Sequence, residues 1–157
     1  MFNLRYFPLI ISLSFTVPIY AEDVEEIVVT ALKRSSTVVD TPAAITAISS
    51  TEIEDKGITS MHDLKHLVPS MNFTNVLGAQ NITIRGIGQF NGNPGVSVST
   101  DGIFQSRAHS SQLGEMDLER VEVLRGPQGT LYGRNSIGGV VNLITKNPTQ
   151  DMDGYVK

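Results

Sequence analysis

The 157-residue chain has no cysteine and no tryptophan. Without a thiol there is no disulfide framework, no thiolate zinc site and no cysteine nucleophile. Charge is also scarce. Asp, Glu, Lys and Arg make up 18% of the chain, against about 25% in ordinary soluble domains. Acids outnumber bases 16 to 12, for a formal net charge of −4, so the basic surface that nucleic acid requires is missing. Aromatics are few, six Phe and four Tyr, and half of them (Phe2, Tyr6, Phe7, Phe15 and Tyr20) stand in the first 21 residues.

Those 21 residues read as an address. One base, Arg5, precedes an apolar run, which ends at Pro18 and Ile19-Tyr20-Ala21. A positive start, a short apolar stretch and a small residue at the cut make a secretory signal. Only 16 uncharged residues separate Arg5 from Glu22, two of them proline. A spanning helix wants about 20 apolar residues. Residues 1–21 are therefore expected to be removed on export.

Next comes EDVEE, residues 22–26, and then the β-prone pentad Ile27-Val28-Val29-Thr30-Ala31, followed by a polar stretch from Lys33 to Thr37. Two readings stand. Residues 22–40 are a flexible segment that can add as a strand to a partner's sheet edge, or the pentad is the first strand of the domain itself.

From Thr41 the pattern is globular. Residues 44–49 (AITAIS) are β-prone. Ser49 with Glu52 fits a capping box and Gly57 a stop, so a short helix is predicted over residues 50–56. Ser60 with Asp63 repeats the signal, and Pro69 ends a second helix whose Met61, Leu64, Leu67 and Val68 share a face. Twelve of the 14 glycines then fall between Gly78 and Gly139. Short strands are predicted among them at 82–85, 96–100, 103–105, 121–124 and 140–145, with Asp101-Gly102 as a tight hairpin turn. The expected fold is a small α+β domain: a short mixed β-sheet, two or three short helices and long Gly-rich loops.

Enzyme signatures fail one by one. His62 and His66 have the spacing of a zinc helix, but Asp63 stands where a Glu base belongs, and both His lie opposite the apolar stripe. Residues 126–133 (GPQGTLYG) lack the lysine of a phosphate loop. Gly86-Ile87-Gly88 lacks the third glycine of a dinucleotide fingerprint, and no Gly-x-Ser-x-Gly elbow occurs. Asp117, Glu119 and Glu122 cluster, and strand alternation puts Glu122 with Arg120 away from Val121 and Val123. A solvated or ion-paired face is the favoured reading there. Arg85 and Arg125 each end a strand and are each followed by glycine, Gly86 and Gly126. Such a pair suits fixed carboxylate partners through bidentate bonds, or is simply two surface arginines at turns.

Four of these pieces, in order, resemble a known family. Residues 26–31 (EIVVTA) resemble a TonB box, and residues 82–88 (ITIRGIG) resemble the IRG segment of a plug. Residues 98–104 resemble its Asp-Gly hairpin, and residues 119–146 (ERVEVLRGPQGTLYGRNSIGGVVNLITK) resemble its long terminal signature. The chain is similar to the N-terminal part of a TonB-dependent outer-membrane receptor. The resemblance implies a plug seated in a barrel of about 22 strands. It implies capture of Glu26, Ile27, Val28, Val29, Thr30 and Ala31 by TonB, which an inner-membrane complex energises, as an added strand. It implies that Arg85-Gly86 and Arg125-Gly126 lock the plug to barrel glutamates. Ligand contacts, for a metal chelate or another nutrient, are expected from loops carrying Gln80, Phe90, Asn91, Arg107 and His109. No cofactor, resident metal or catalytic residue is implied.

The barrel is absent from the chain. Even the smallest needs about 8 strands of roughly 9–11 residues. The expected organisation is a signal over 1–21, a flexible coupling segment over 22–40, a plug over 41–148, and over 149–157 the opening of a truncated first barrel strand. Such a fragment would sit in the periplasm alone and in the outer membrane when joined to its barrel. The alternative is a free-standing periplasmic binding module that engages TonB without transport.

Overall fold

The computed structural model describes residues 27–30, 32–33, 35–76, 79–89, 93–105 and 117–148. The fold is built on its two longest central strands, β8 (Leu118–Arg125) and β9 (Gly139–Thr145). Their β-branched residues suit a pleated sheet. Both are buried along nearly their whole length, as strands covered on two faces must be. Around them lie β3 (Ile45–Ser49), β6 (Val96–Thr100) and β7 (Ile103–Gln105), in the order β3-β8-β9-β6-β7. β6 runs parallel to β9, and every other pairing in this sheet is antiparallel. The domain is thus α+β with a mixed sheet, as the sequence predicts, and the described strands form no closed barrel.

One face carries the main core. Ile48, Val98, Val121, Val123, Val141 and Leu143 meet Ile53, Met61, Leu64 and Val68 from the helices. Ser49 caps α1 (Ser50–Asp55), its Oγ accepting from the Glu52 N–H at 3.2 Å, and Gly57 leaves the helix at φ +61°. The second predicted helix is a 3-10 helix, Met61–His66. Its i, i+3 spacing keeps Met61 and Leu64 on the buried side with Leu67 half-buried. Asp63 holds its start, with Oδ2 accepting from the N–H and hydroxyl of Ser60, each at 2.9 Å. His62 and His66 are exposed, and Lys65 Nζ stands 3.1 Å from His62 Nε2.

Two elements go beyond the sequence prediction, and a hairpin includes part of the pentad that the sequence offers as a first strand of the domain. β4 (Met71–Val76) pairs with β5 (Ala79–Ile84) as a separate antiparallel ribbon. Its two asparagines weaken the β signal. α2 (Gly129–Tyr132) is one turn long, too short to show a period. β1 (Val28–Val29) and β2 (Ser36–Thr37) form a two-residue hairpin ladder. This hairpin covers the second face of the main sheet, where Val29 packs with Ile45, Leu124 and Val140.

Candidate functional site: two Arg-Gly corners and a docked N-terminal strand

Arg85 and Gly86 form the two-residue turn between Ile84 and Ile87, whose backbones exchange hydrogen bonds at 3.0 Å in both directions. Both turn residues have positive φ, +53° and +79°, the signature of a primed hairpin turn. Glycine takes that conformation freely, while a long side chain there costs about 1 kcal/mol. Arg85 is exposed. The second corner is Arg125-Gly126, held by Arg125 N–H to the Ala44 carbonyl at 2.9 Å and Gly126 N–H to the Gly138 carbonyl at 3.0 Å. A Cβ at Gly126 would stand 3.5 Å from Arg85 Nη1. The fold therefore brings the two Arg-Gly corners together at one end of the sheet.

The glycines around them allow this approach. A Cβ at Gly95 would fall 2.1 Å from the Gly88 carbonyl oxygen, and one at Gly139 would fall 2.3 Å from the Leu124 carbonyl oxygen. Arg125 is half-buried, and its Nε is buried without a hydrogen-bond partner among the described residues. An unmatched buried donor carries a desolvation cost that an incoming acceptor removes. A guanidinium offers bidentate bonds to a carboxylate.

On the second face, the N-terminal strand lies over a polar stripe. Glu122, in the middle of β8 between Ala47 and Asn142, is fully buried. Its Oε1 accepts from the Thr30 backbone N–H at 2.9 Å and from Arg120 Nε at 2.8 Å, with the Thr30 hydroxyl at 3.4 Å. Arg120 also donates from Nη2 to Thr30 Oγ1 at 3.3 Å and pairs with Glu119. Glu122 Oε2 is buried without a partner among the described residues. The ion-paired half of the sequence reading for Arg120 and Glu122 is what the structure has. The solvated half is corrected, because the hairpin excludes water from Glu122. Alternation could place the two charges on one face, but nothing local says what covers that face. The Thr30 contact has no local sequence signal, because its partners stand 92 residues apart.

Tyr132 lines the same region, half-buried against the second core. Burial, and then the negative charge of Glu122, push its phenol up to about 12. Lys33 Nζ stands 4.7 Å from its ring centre. A groove of about 870 Å³ runs beside Val28 and Thr30, bounded by Glu119, Arg120 and Thr145. Among the described residues β1 pairs with β2 on one side only, and Val28 is 49% exposed.

Of the other predicted site residues, Ile27 is half-buried against the second core. Gln80 lies in β5 opposite Asn75, one pair from the hairpin tip. Glu26, Ala31, Phe90, Asn91, Arg107 and His109 lie outside the described residues, as do the predicted signal and the predicted start of a barrel strand. Among the described residues no helix is long and apolar enough to cross a membrane. That says nothing of strands.

A mixed five-strand sheet with Arg-Gly corners meeting at one end defines a plug-type domain. The comparisons agree: the TonB-dependent Receptor Plug Domain family matches residues 37–140, and the chain belongs to that non-enzymatic transport family. The pesticin receptor of Yersinia pestis is 34% identical over 141 residues, which is 87% of this chain and 21% of that protein. An iron-regulated outer membrane virulence protein of Vibrio cholerae is 32% identical over 159 residues, covering 94% of this chain and 24% of that protein. Among solved structures, the ferric yersiniabactin uptake receptor from Yersinia pestis superposes with a TM-score of 0.61 at 34% identity, over 68% of this chain and 17% of that one. The pyoverdine outer membrane receptor of Pseudomonas aeruginosa, bound to pyoverdine, gives 0.64 at 28% identity, over 80% and 18%. The chain thus spans about a fifth of the length of the relatives it matches.

Proposed function

We propose that this chain is the gating and TonB-coupling module of an outer-membrane active importer for iron-siderophore or similar nutrient complexes. The observation that carries the reading is the Arg85 guanidinium beside Gly126, next in sequence to Arg125, whose buried Nε has no partner among the described residues. A plug complete in itself leaves that buried donor unmatched. A plug seated in a barrel finds carboxylates there, and the pair becomes a lock. The substrate class rests on the relatives, whose names include ferric yersiniabactin and pyoverdine.

Coupling falls to residues 26–31. Among the described residues no strand pairs with the outer edge of β1, and an added strand supplies affinity through backbone hydrogen bonds. Residues 78–80, 90–94 and 106–112 are proposed to face the ligand. The test measures binding of the periplasmic domain of TonB to the mature chain and to its Val28→Pro variant. Proline removes a backbone donor and restricts the residue before it. A loss of about tenfold or more in affinity supports strand addition, on the scale of one or two lost hydrogen bonds. Equal binding by both sinks it.

A further inference from the structure

The contact between Glu122 and Thr30 has a property that packing alone does not require. A fully buried carboxylate in the middle of a sheet is costly unless it is bonded. Here the bond partners on one side come from a segment 92 residues away in sequence, and the nearest of them is a backbone N–H. The remaining anchors of the strand are few. They are the Val29 side chain in the second core, with Ile27 and Leu32 packed half-buried against it, and a two-residue ladder to β2. A ladder this short is weak by itself. With the strand lifted away, Glu122 and Arg120 face the groove and keep each other. With it in place, Oε1 holds Thr30 through a charge-assisted bond, and Arg120 braces both.

We propose that Glu122 is a positioning residue that latches the N-terminal strand onto the plug and thereby sets how available that strand is for capture. A partner that pairs along residues 27–30 and draws them away must first break the Thr30–Glu122 bond and withdraw Val29 from its pocket. The latch makes the strand a reserved element rather than a free tail. It is breakable at low cost, because Arg120 remains to neutralise Glu122 when Thr30 leaves. This regulatory role rests on the coupling reading above, but the latch itself does not.

Hydrogen exchange on the full chain tests it. In the wild type the Thr30 amide, bonded to Glu122, and whichever of the Val28 and Val29 amides donates to β2 are expected to be protected. In Glu122→Ala they should exchange about tenfold faster or more, the scale of one lost charge-assisted bond, while Val141 and Leu143 in β9 keep their protection. Thr30→Pro removes the donor and leaves the sheet untouched, so it serves if Glu122→Ala fails to fold. There the protected Val28 or Val29 amide should loosen to the same degree. Glu122→Gln keeps an acceptor and the side-chain size, and should fall between wild type and alanine. Unchanged protection of that amide in both Glu122→Ala and Thr30→Pro overturns the latch. The periplasmic domain of TonB should bind Glu122→Ala about threefold more tightly or better, within the range of one such bond. If no form binds TonB, the coupling reading fails, and the exchange data still decide the latch.

Discussion

At the scale of single residues, the domain keeps its irregular features where two parts of the chain are forced together. Arg85 holds a left-handed backbone that glycine would take without strain. Gly139 has φ +155° and no space for a Cβ beneath the Leu124 carbonyl. Tyr132 is the residue whose environment makes a measurable claim. Its phenol is raised to about 12 by burial and by Glu122, while an unfolded tyrosine titrates near 10. The folded state therefore binds more protons than the unfolded state between about pH 10 and pH 12. The contribution of the neutral phenol is complete below about pH 10 and is lost as pH rises through 12. Urea midpoints of the wild type should fall across that window more steeply than those of Tyr132→Phe. Parallel curves for the two would show that the phenol is not shielded.

At the scale of elements, short segments hold their shape through caps rather than length. α1 has six residues, too few to be stable alone, and its start depends on Ser49 Oγ. Ser49→Ala should cost about 1 kcal/mol, read as a lower urea midpoint at unchanged slope. An unchanged midpoint would mean that packing of Ile53 alone defines the helix. Elements of this kind were legible in the sequence because their signals are local. The Ser49 and Glu52 spacing, the Gly57 stop and the Asp101-Gly102 turn each sit within a few residues. Runs such as VSVST and VVNLIT read as strands for the same reason. The 3-10 geometry of Met61–His66 was not legible, because a six-residue apolar spacing fits either helix type. β4 was missed because Asn72 and Asn75 interrupt its pattern, while its pairing with β5 supplies what propensity lacks. The Arg-Gly corners were legible as two motifs, but their meeting was not, because it depends on the approach of chain segments that only the fold brings together.

At the scale of the whole molecule, the boundary of the folded unit is what the structure redraws. The family match begins at residue 37, which leaves β1 and most of the hairpin outside it. Yet the second core needs Val29. Val29 is fully buried, and Ile45, Leu124 and Val140 beneath it belong to β3, β8 and β9 of the main sheet. Burying one valine side chain contributes about 1.5 kcal/mol or more, and the hairpin also shields Ala47 and part of Tyr132. Small domains have only about 5–15 kcal/mol of net stability, so losing this cover is a sizeable fraction. A chain beginning at residue 38 should therefore lose roughly 2 kcal/mol of unfolding free energy. It should also bind a dye that reports exposed apolar surface, through the newly bared patch of Ile45, Leu124 and Val140. If truncation changes neither the urea midpoint nor dye binding, the hairpin does not belong to the folded unit. Residues 27–37 would then act as a tether only, and the force needed to draw them out would come from the rest of the plug rather than from the latch at Glu122.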